Sequence, residues 1–207
     1  MRSSTRVLAR LFSGCSGFRA AVGEVSSHST APPGARERLV ILGSGWGATS
    51  LLRAVDTAKY DVTVVSPRNY FMMTALLPGV MVGSVEARSI IEPIRRLLPG
   101  RSPRDSRFFE ARAVDIDPVA KVLTCRDDSS VKSVQPEFPL AYDRLVVSVG
   151  APLDPSTVKG AEANVCTLKE VEDARVVRGR LVDMLETAAL PSTSAKERAE
   201  ICSVVVV

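Results

Sequence analysis

Apolar positions follow two rhythms along this chain. Residues 39–42 are an unbroken apolar run, Leu-Val-Ile-Leu, the composition of a strand buried on both faces of a parallel sheet. The stretch Gly43-Ser44-Gly45-Trp46-Gly47-Ala48 follows at once. Residues 49–57 then carry Leu51, Leu52 and Val55 at helical spacing, which predicts a helix. Residues 61–65 are an apolar, β-branched strand that stops at Ser66-Pro67. Strand, glycine turn, helix and strand in that order predict a βαβ unit.

Further along, Ser89-Ile90-Ile91-Glu92 reads as a capping box. It predicts a helix that Pro99-Gly100 closes, with Pro93 in the first turn, where backbone N–H groups lack partners anyway. Residues 101–107 read as polar linker. Residues 108–116 and 121–125 predict a hairpin turning at Asp117-Pro118. Residues 126–139 read as a polar excursion, and 142–149 return as a strand ending at Gly150-Ala151-Pro152. Thr167-Leu168-Lys169-Glu170 is a second capping box, opening a helix with Val171, Ala174, Leu181, Val182 and Leu185 that ends before Pro191. Residues 201–207 close with four valines, read as a buried parallel strand.

Charge changes the picture at one end only. The chain has 207 residues and a net charge of +4. Arg2, Arg6, Arg10 and Arg19 face a single acid, Glu24, within residues 1–35, so most of the excess sits there. The remainder is near neutral and gives a nucleic-acid backbone little to bind. An Arg- and Ser-rich, acid-poor start with Val7, Leu8, Leu11 and Phe12 on one helical face predicts a mitochondrial transit peptide. Apolar runs fall short of the roughly 18 residues of a membrane span. Cys15, Cys125, Cys166 and Cys202 form no C-x-x-C pair, and the one histidine, His28, lies in the leader. Neither a metal site nor a disulfide active site is expected.

The candidate chemistry lies in Gly43-x-Gly45-x-x-Ala48, directly after a strand and opening a helix. Gly43 permits a tight turn, and Gly45 lets a pyrophosphate approach backbone N–H groups at the helix N-terminus. Ala48 keeps helix and sheet close. The acid expected about 20 residues on, to hold the ribose hydroxyls, is missing: Ser66, Pro67 and Arg68 stand there. Ser66 can hydrogen-bond a ribose hydroxyl. Arg68 fits either an adenine or phosphate contact or the 2′-phosphate of NADP, so the residues alone leave the nucleotide open.

The segments VILGSGWGATSLLRAVDTAKYDVTVVSPRNYF and LLPGVMVGSVEARSIIEPIR resemble eukaryotic type II (alternative) NADH:ubiquinone oxidoreductases, as do YDRLVVSVGA, TLKEVEDAR and the final valines. The resemblance covers residues 38–207. It implies an α/β, Rossmann-like FAD/NAD(P)-binding fold with a β-hairpin or β-meander insertion. A leader over 1–35, an FAD domain over 36–160, a connecting helix and loop over 161–200, and over 201–207 the first strand of an NADH-binding domain cut short are expected. By resemblance Gly43, Ser44, Gly45, Trp46, Gly47, Ala48, Ser66, Pro67 and Arg68 serve FAD, and the NADP reading recedes. Thr74 is then the polar contact of a flavin-facing loop over 70–78, Ala113 lies on a strand whose backbone meets the adenine, and Val149 and Gly150 bring the chain back to the flavin. The family usually reads Thr-Pro-Leu-Leu-Pro where this chain has Thr74-Ala75-Leu76-Leu77-Pro78.

What the resemblance implies is a mitochondrial respiratory enzyme that pumps no protons. NADH gives hydride to FAD, and two electrons pass to ubiquinone; the cofactor carries the chemistry and no catalytic side chain is expected. NADH and ubiquinone are the expected partners, with peripheral attachment to the inner membrane through a C-terminal region absent from this sequence; a homodimer is compatible. Two alternatives stand beside it: a truncated, inactive FAD-binding fragment of that family, and another flavin oxidoreductase such as sulfide:quinone oxidoreductase. The latter needs redox cysteines, and none here has matching spacing. Met72, Met73 and Met81 read as apolar fill, and Trp46 as packing beside the turn.

Overall fold

The structure, a computed structural model, describes residues 36–100, 105–129 and 136–206; the expected leader over 1–35 lies outside them. Strand β1 (Glu37–Leu42), helix α1 (Trp46–Ala54) and strand β2 (Tyr60–Ser66) form the expected βαβ unit, with β1 and β2 parallel. The helix starts three residues earlier than its apolar spacing predicts and also ends sooner. Its end follows from Asp56, whose side chain accepts from the Ala58 N–H at 2.9 Å, an Asx-turn that competes with further helix. Leu39 and Ile41 face α1 and pack with Ala48, Leu52, Val62 and Val64, while Val40 and Leu42 face the other side. That is the period of two that a strand imposes.

The next stretch departs from expectation. Strand β3 (Tyr70–Met72), a 3-10 turn (Thr74–Leu76) and helix α2 (Leu77–Met81) lead to a second 3-10 turn (Ala87–Ser89), strand β4 (Ile91–Pro93) and a one-turn helix α3 (Ile94–Leu97). Ser89 to Glu92 therefore open no helix. Glu92 precedes a proline, which disfavours its α conformation, and the backbone pairs with β3 instead, Phe71 opposite Glu92. Helix begins only past Pro93, whose ψ is 130°. Met72 is buried, with Met73 and Met81 packed around the same clusters, as apolar fill.

Strand β5 (Ser106–Asp117) serves two partners in turn. Its first half pairs parallel with β2, Ser66 opposite Glu110. Its second half pairs antiparallel with β6 (Val122–Asp127), the expected hairpin, with a register irregularity between Ala113 and Asp115. β7 (Glu137–Ala141) adds a third antiparallel strand, partly within the stretch expected to be a polar excursion. Pro139 hides it from sequence reading, yet β7 is an edge strand, where a missing N–H is tolerated. β8 (Arg144–Val147) returns parallel to β1, so the six-stranded sheet runs β7-β6-β5-β2-β1-β8. Asp143 fastens that return: its carboxylate accepts from the Arg38 N–H at 2.8 Å and from the Arg38 guanidinium at 2.9 and 3.0 Å. The Arg38 hydrogen bonds pull the Asp143 carboxyl down to about 2.

A short helix α4 (Ala161–Asn164) precedes the long helix α5 (Val171–Ala189) and helix α6 (Ala195–Ile201). α5 is capped at Glu170 rather than Thr167: Asp173 accepts from the Lys169 and Glu170 N–H groups at 2.8 and 2.9 Å. Val171 and Ala174 bury against Met72, Leu77 and Val80. The strand expected over 201–207 is replaced up to Ile201 by α6, which a Ser194–Glu197 capping box opens. Residues 203–206 pair with no strand among the described residues, and Val206 is 91% exposed. No helix among the described residues is long and apolar enough to cross a membrane.

Candidate nucleotide-binding site

The site is built where β1 runs out. Gly43 donates its N–H to the Val65 carbonyl at 2.8 Å, and Ser148 donates to the Leu42 carbonyl at 2.8 Å, so the turn is clamped between β2 and the chain beyond β8. Gly43 has φ +105°, and a Cβ there would lie 2.2 Å from the Ser148 carbonyl oxygen. Only glycine fits. Gly45, two residues on, differs in kind: its φ is −86°, and a Cβ would meet nothing within 4 Å. The first glycine is demanded by the protein's own backbone, and the second leaves space above the turn.

That space opens onto the N-terminus of α1. Gly45 is the N-cap, no side chain caps the helix, and its first turn holds no acid. The leading amides of a helix have no intrahelical acceptor and favour negative charge. Thr49 directs its hydroxyl back to the Gly45 carbonyl at 2.9 Å, and Ala48 is wholly buried, which holds the helix tight to the sheet. Gly47 is exposed in the same first turn. The arrangement fits a diphosphate: open space above Gly45, unfilled donors, and no carboxylate to repel an anion.

Beside the turn, Ser66 ends β2 and is buried with Ser44, its hydroxyl donating to Ser44 Oγ at 3.0 Å. Pro67 is exposed, and the Arg68 N–H donates back to Ser66 Oγ at 3.1 Å. The Arg68 side chain is only partly exposed and is held on several sides. Its Nη1 contacts both carboxylate oxygens of Glu170 at 2.6 and 2.8 Å, its Nε lies 3.5 Å from Ser44 Oγ, and its guanidinium covers the Tyr70 ring at 5.6 Å. Burial first, then the Glu170 charge, pushes the Tyr70 phenol upward.

On the other flank, Trp46 is half exposed. Its indole N–H donates to Thr74 Oγ1 at 3.2 Å, and its ring meets Phe71 edge-on at 4.9 Å, 90° between planes. Packing beside the turn thus includes an unexpected grip on Thr74. Val149 and Gly150 follow Ser148, and the Val149 Cα lies 3.2 Å from where a Gly43 Cβ would be. Gly150 has φ +71°. Ala113 stands further off, half-buried on β5 opposite Cys125, against the cluster that includes Leu42. Cys125 is fully buried, and burial pushes its thiol up to about 11; Cys166 and Cys202 are exposed.

Sequence reading missed Glu170, assigning it to a helix cap. The signal available was indirect: an arginine where an acid belongs, with a buried serine pair beneath it, needs a counter-charge from elsewhere.

The profile of the family described as pyridine nucleotide-disulphide oxidoreductase matches residues 37–206. The chain is 45% identical over 168 residues to the mitochondrial external alternative NAD(P)H-ubiquinone oxidoreductase B1 of Solanum tuberosum, covering 81% of this chain and 29% of that one. It is 43% identical over 176 residues to the mitochondrial external NADH-ubiquinone oxidoreductase 2 of Saccharomyces cerevisiae, covering 83% and 31%. Among solved structures, NDH2 from Plasmodium falciparum in complex with NADH superposes with a TM-score of 0.67 at 32% identity, covering 79% of this chain and 32% of that one. The chain therefore spans about three tenths of the length of these relatives.

Proposed function

Because this chain belongs to the pyridine nucleotide-disulphide oxidoreductase family, on its type II NADH dehydrogenase branch, we propose that it forms the FAD-binding part of a mitochondrial NADH:ubiquinone oxidoreductase attached peripherally to the inner membrane. The observation that carries this reading is the contrast within the turn, where Gly43 is wedged against Ser148 and Gly45 faces open space at the head of α1.

In this reading the amides of Trp46, Gly47 and Ala48 hold the pyrophosphate, and Ser44 and Ser66 offer hydroxyls to the ribose end. Pro67 turns the chain so that Arg68 covers that end. Thr74, gripped by Trp46, offers its hydroxyl toward the flavin, and Val149 and Gly150 line the same side. The backbone around Ala113 meets the adenine. FAD, when bound, supplies hydride acceptance from NADH and delivery of electrons to the quinone. The side chains bind, orient and exclude water, and none is assigned proton transfer.

The test uses the full 207-residue chain and its single tryptophan, Trp46, which stands beside the turn. Bound FAD gives flavin absorption that survives desalting and quenches the Trp46 emission on titration. A soluble, folded sample that stays colourless and unquenched overturns the reading.

A further inference from the structure

The dinucleotide fingerprint expects an acid at the end of the second strand, where it holds the ribose 2′-hydroxyl and repels a 2′-phosphate. β2 ends instead in Ser66, and the next charged residue is Arg68. An arginine in that place ordinarily accommodates a 2′-phosphate. Here it is already engaged. Glu170 arrives from the start of α5, 102 positions along the chain from Arg68, and takes Nη1 with both carboxylate oxygens. Ser44 and the Tyr70 ring contact the same guanidinium. Glu170 is the N-cap of α5: Asp173 accepts from the Lys169 and Glu170 N–H groups, and the Glu170 carboxylate caps the Asp173 N–H in return. The same carboxylate reaches Arg68. The acid missing from the second strand has been supplied from another element.

We propose that Glu170 is a specificity-determining residue of this nucleotide site: by holding and neutralising Arg68 it reserves the site for an adenosine ribose with a free 2′-hydroxyl, as in FAD. It acts through Arg68, so its role is positioning. The inference rests on the FAD reading of the turn and adds to it the reason a basic residue at the end of β2 does not select a 2′-phosphorylated nucleotide. A phosphate entering there has to displace a carboxylate from a guanidinium that both oxygens contact, and it meets that carboxylate's charge as well. The pair is partly exposed, at 28% for Arg68 and 45% for Glu170. Ion pairs of that exposure add little to stability, and the amide oxygen of a Gln can still accept from the Asp173 N–H that Glu170 caps, so Glu170→Gln leaves the fold in place.

The experiment titrates the full chain, stripped of flavin, with ADP and with 2′-phosphorylated ADP, following Trp46 emission and heat. Wild type binds ADP with preference over the phosphorylated form. Glu170→Gln shifts that ratio toward the phosphorylated form by about tenfold, the size of one charge-assisted contact. Glu170→Asp, which keeps the charge, restores most of the preference. Arg68→Gln with Glu170→Gln loses the gain, because the phosphate's partner has gone. An unchanged ratio in a folded Glu170→Gln protein, or an equal shift in the double variant, overturns the proposal. Failure of wild type to bind ADP at all is a distinct result, which overturns the FAD reading and this inference with it.

Discussion

The βαβ unit and the helix α5 are both well formed, but they are held in different ways. In the unit, Val40, Ile41 and Ala48 are at most 1% exposed, and each face of β1 has its own cluster. α5 is 19 residues long yet buries only Val171, Ala174 and Ala188. Its first turns dock on α2 and on Arg68, while Val176, Val182 and Leu185 stand half exposed. The difference teaches where geometry is enforced. A turn clamped between two strands' ends has one solution, whereas a helix buried only at its first turns and at Ala188 keeps its shape mainly through its own hydrogen bonds.

The largest expected effect tests the clamp itself. Gly43→Ala forces a Cβ to within 2.2 Å of the Ser148 carbonyl oxygen at φ +105°. A loss of about 3 kcal/mol or more is expected, read as a lower urea midpoint, and FAD retention goes with it. An unchanged midpoint would break the claim that the turn is over-determined. Gly45→Val separates binding from folding in the same turn. Its Cβ meets nothing and its φ is ordinary, so stability should move by less than about 1 kcal/mol. FAD affinity should nevertheless fall on the order of 100-fold, since a branched side chain occupies the approach to the helix amides. Equal losses in both measurements would show that Gly45 serves the fold rather than a ligand.

The parts legible in the sequence were those whose cause is local. The run at 39–42, the glycines and the hairpin at Asp117-Pro118 carry their own geometry, and all three elements form. Failures came where a distant partner decided. Ser89 to Glu92 looked like a helix start until β3 offered it a strand partner. Thr167 to Glu170 reads as a capping box, but the cap falls at Glu170 with Asp173, and the Glu170 carboxylate is also held by the distant Arg68. Val204, Val205 and Val206 have strand composition, yet no strand among the described residues pairs with them. Of the candidate site, the turn and Ser66 were readable from spacing, and the Trp46–Thr74 link was not, because the two are 28 positions apart.

A smaller effect concerns the seam between β1 and β8. Asp143 has its carboxyl held near 2, against an ordinary 3.8, chiefly by the Arg38 side chain. A depressed carboxyl contributes stability that is complete above its unfolded value and is lost as pH falls through its folded one. The window is therefore about pH 4 down to 2, and the contribution about 2 kcal/mol. Asp143→Asn should flatten the stability profile across that window, in urea melts taken at each pH. An identical slope in wild type and variant would show that other carboxyls govern the acid limb.

The smallest effect decides whether the two regions really differ. Leu185 lies in the second half of α5 and is 58% exposed. A residue that keeps more than half its surface in water has little burial to lose, so Leu185→Ser should change stability by no more than about 0.5 kcal/mol, most of it helix propensity. The comparison needs this near-zero value as much as it needs the large loss at Gly43. If the urea midpoint drops by an amount worth more than about 1.5 kcal/mol, Leu185 must lose buried contacts. The second half of α5 would then close on an apolar partner of its own, and the contrast with the βαβ unit would disappear.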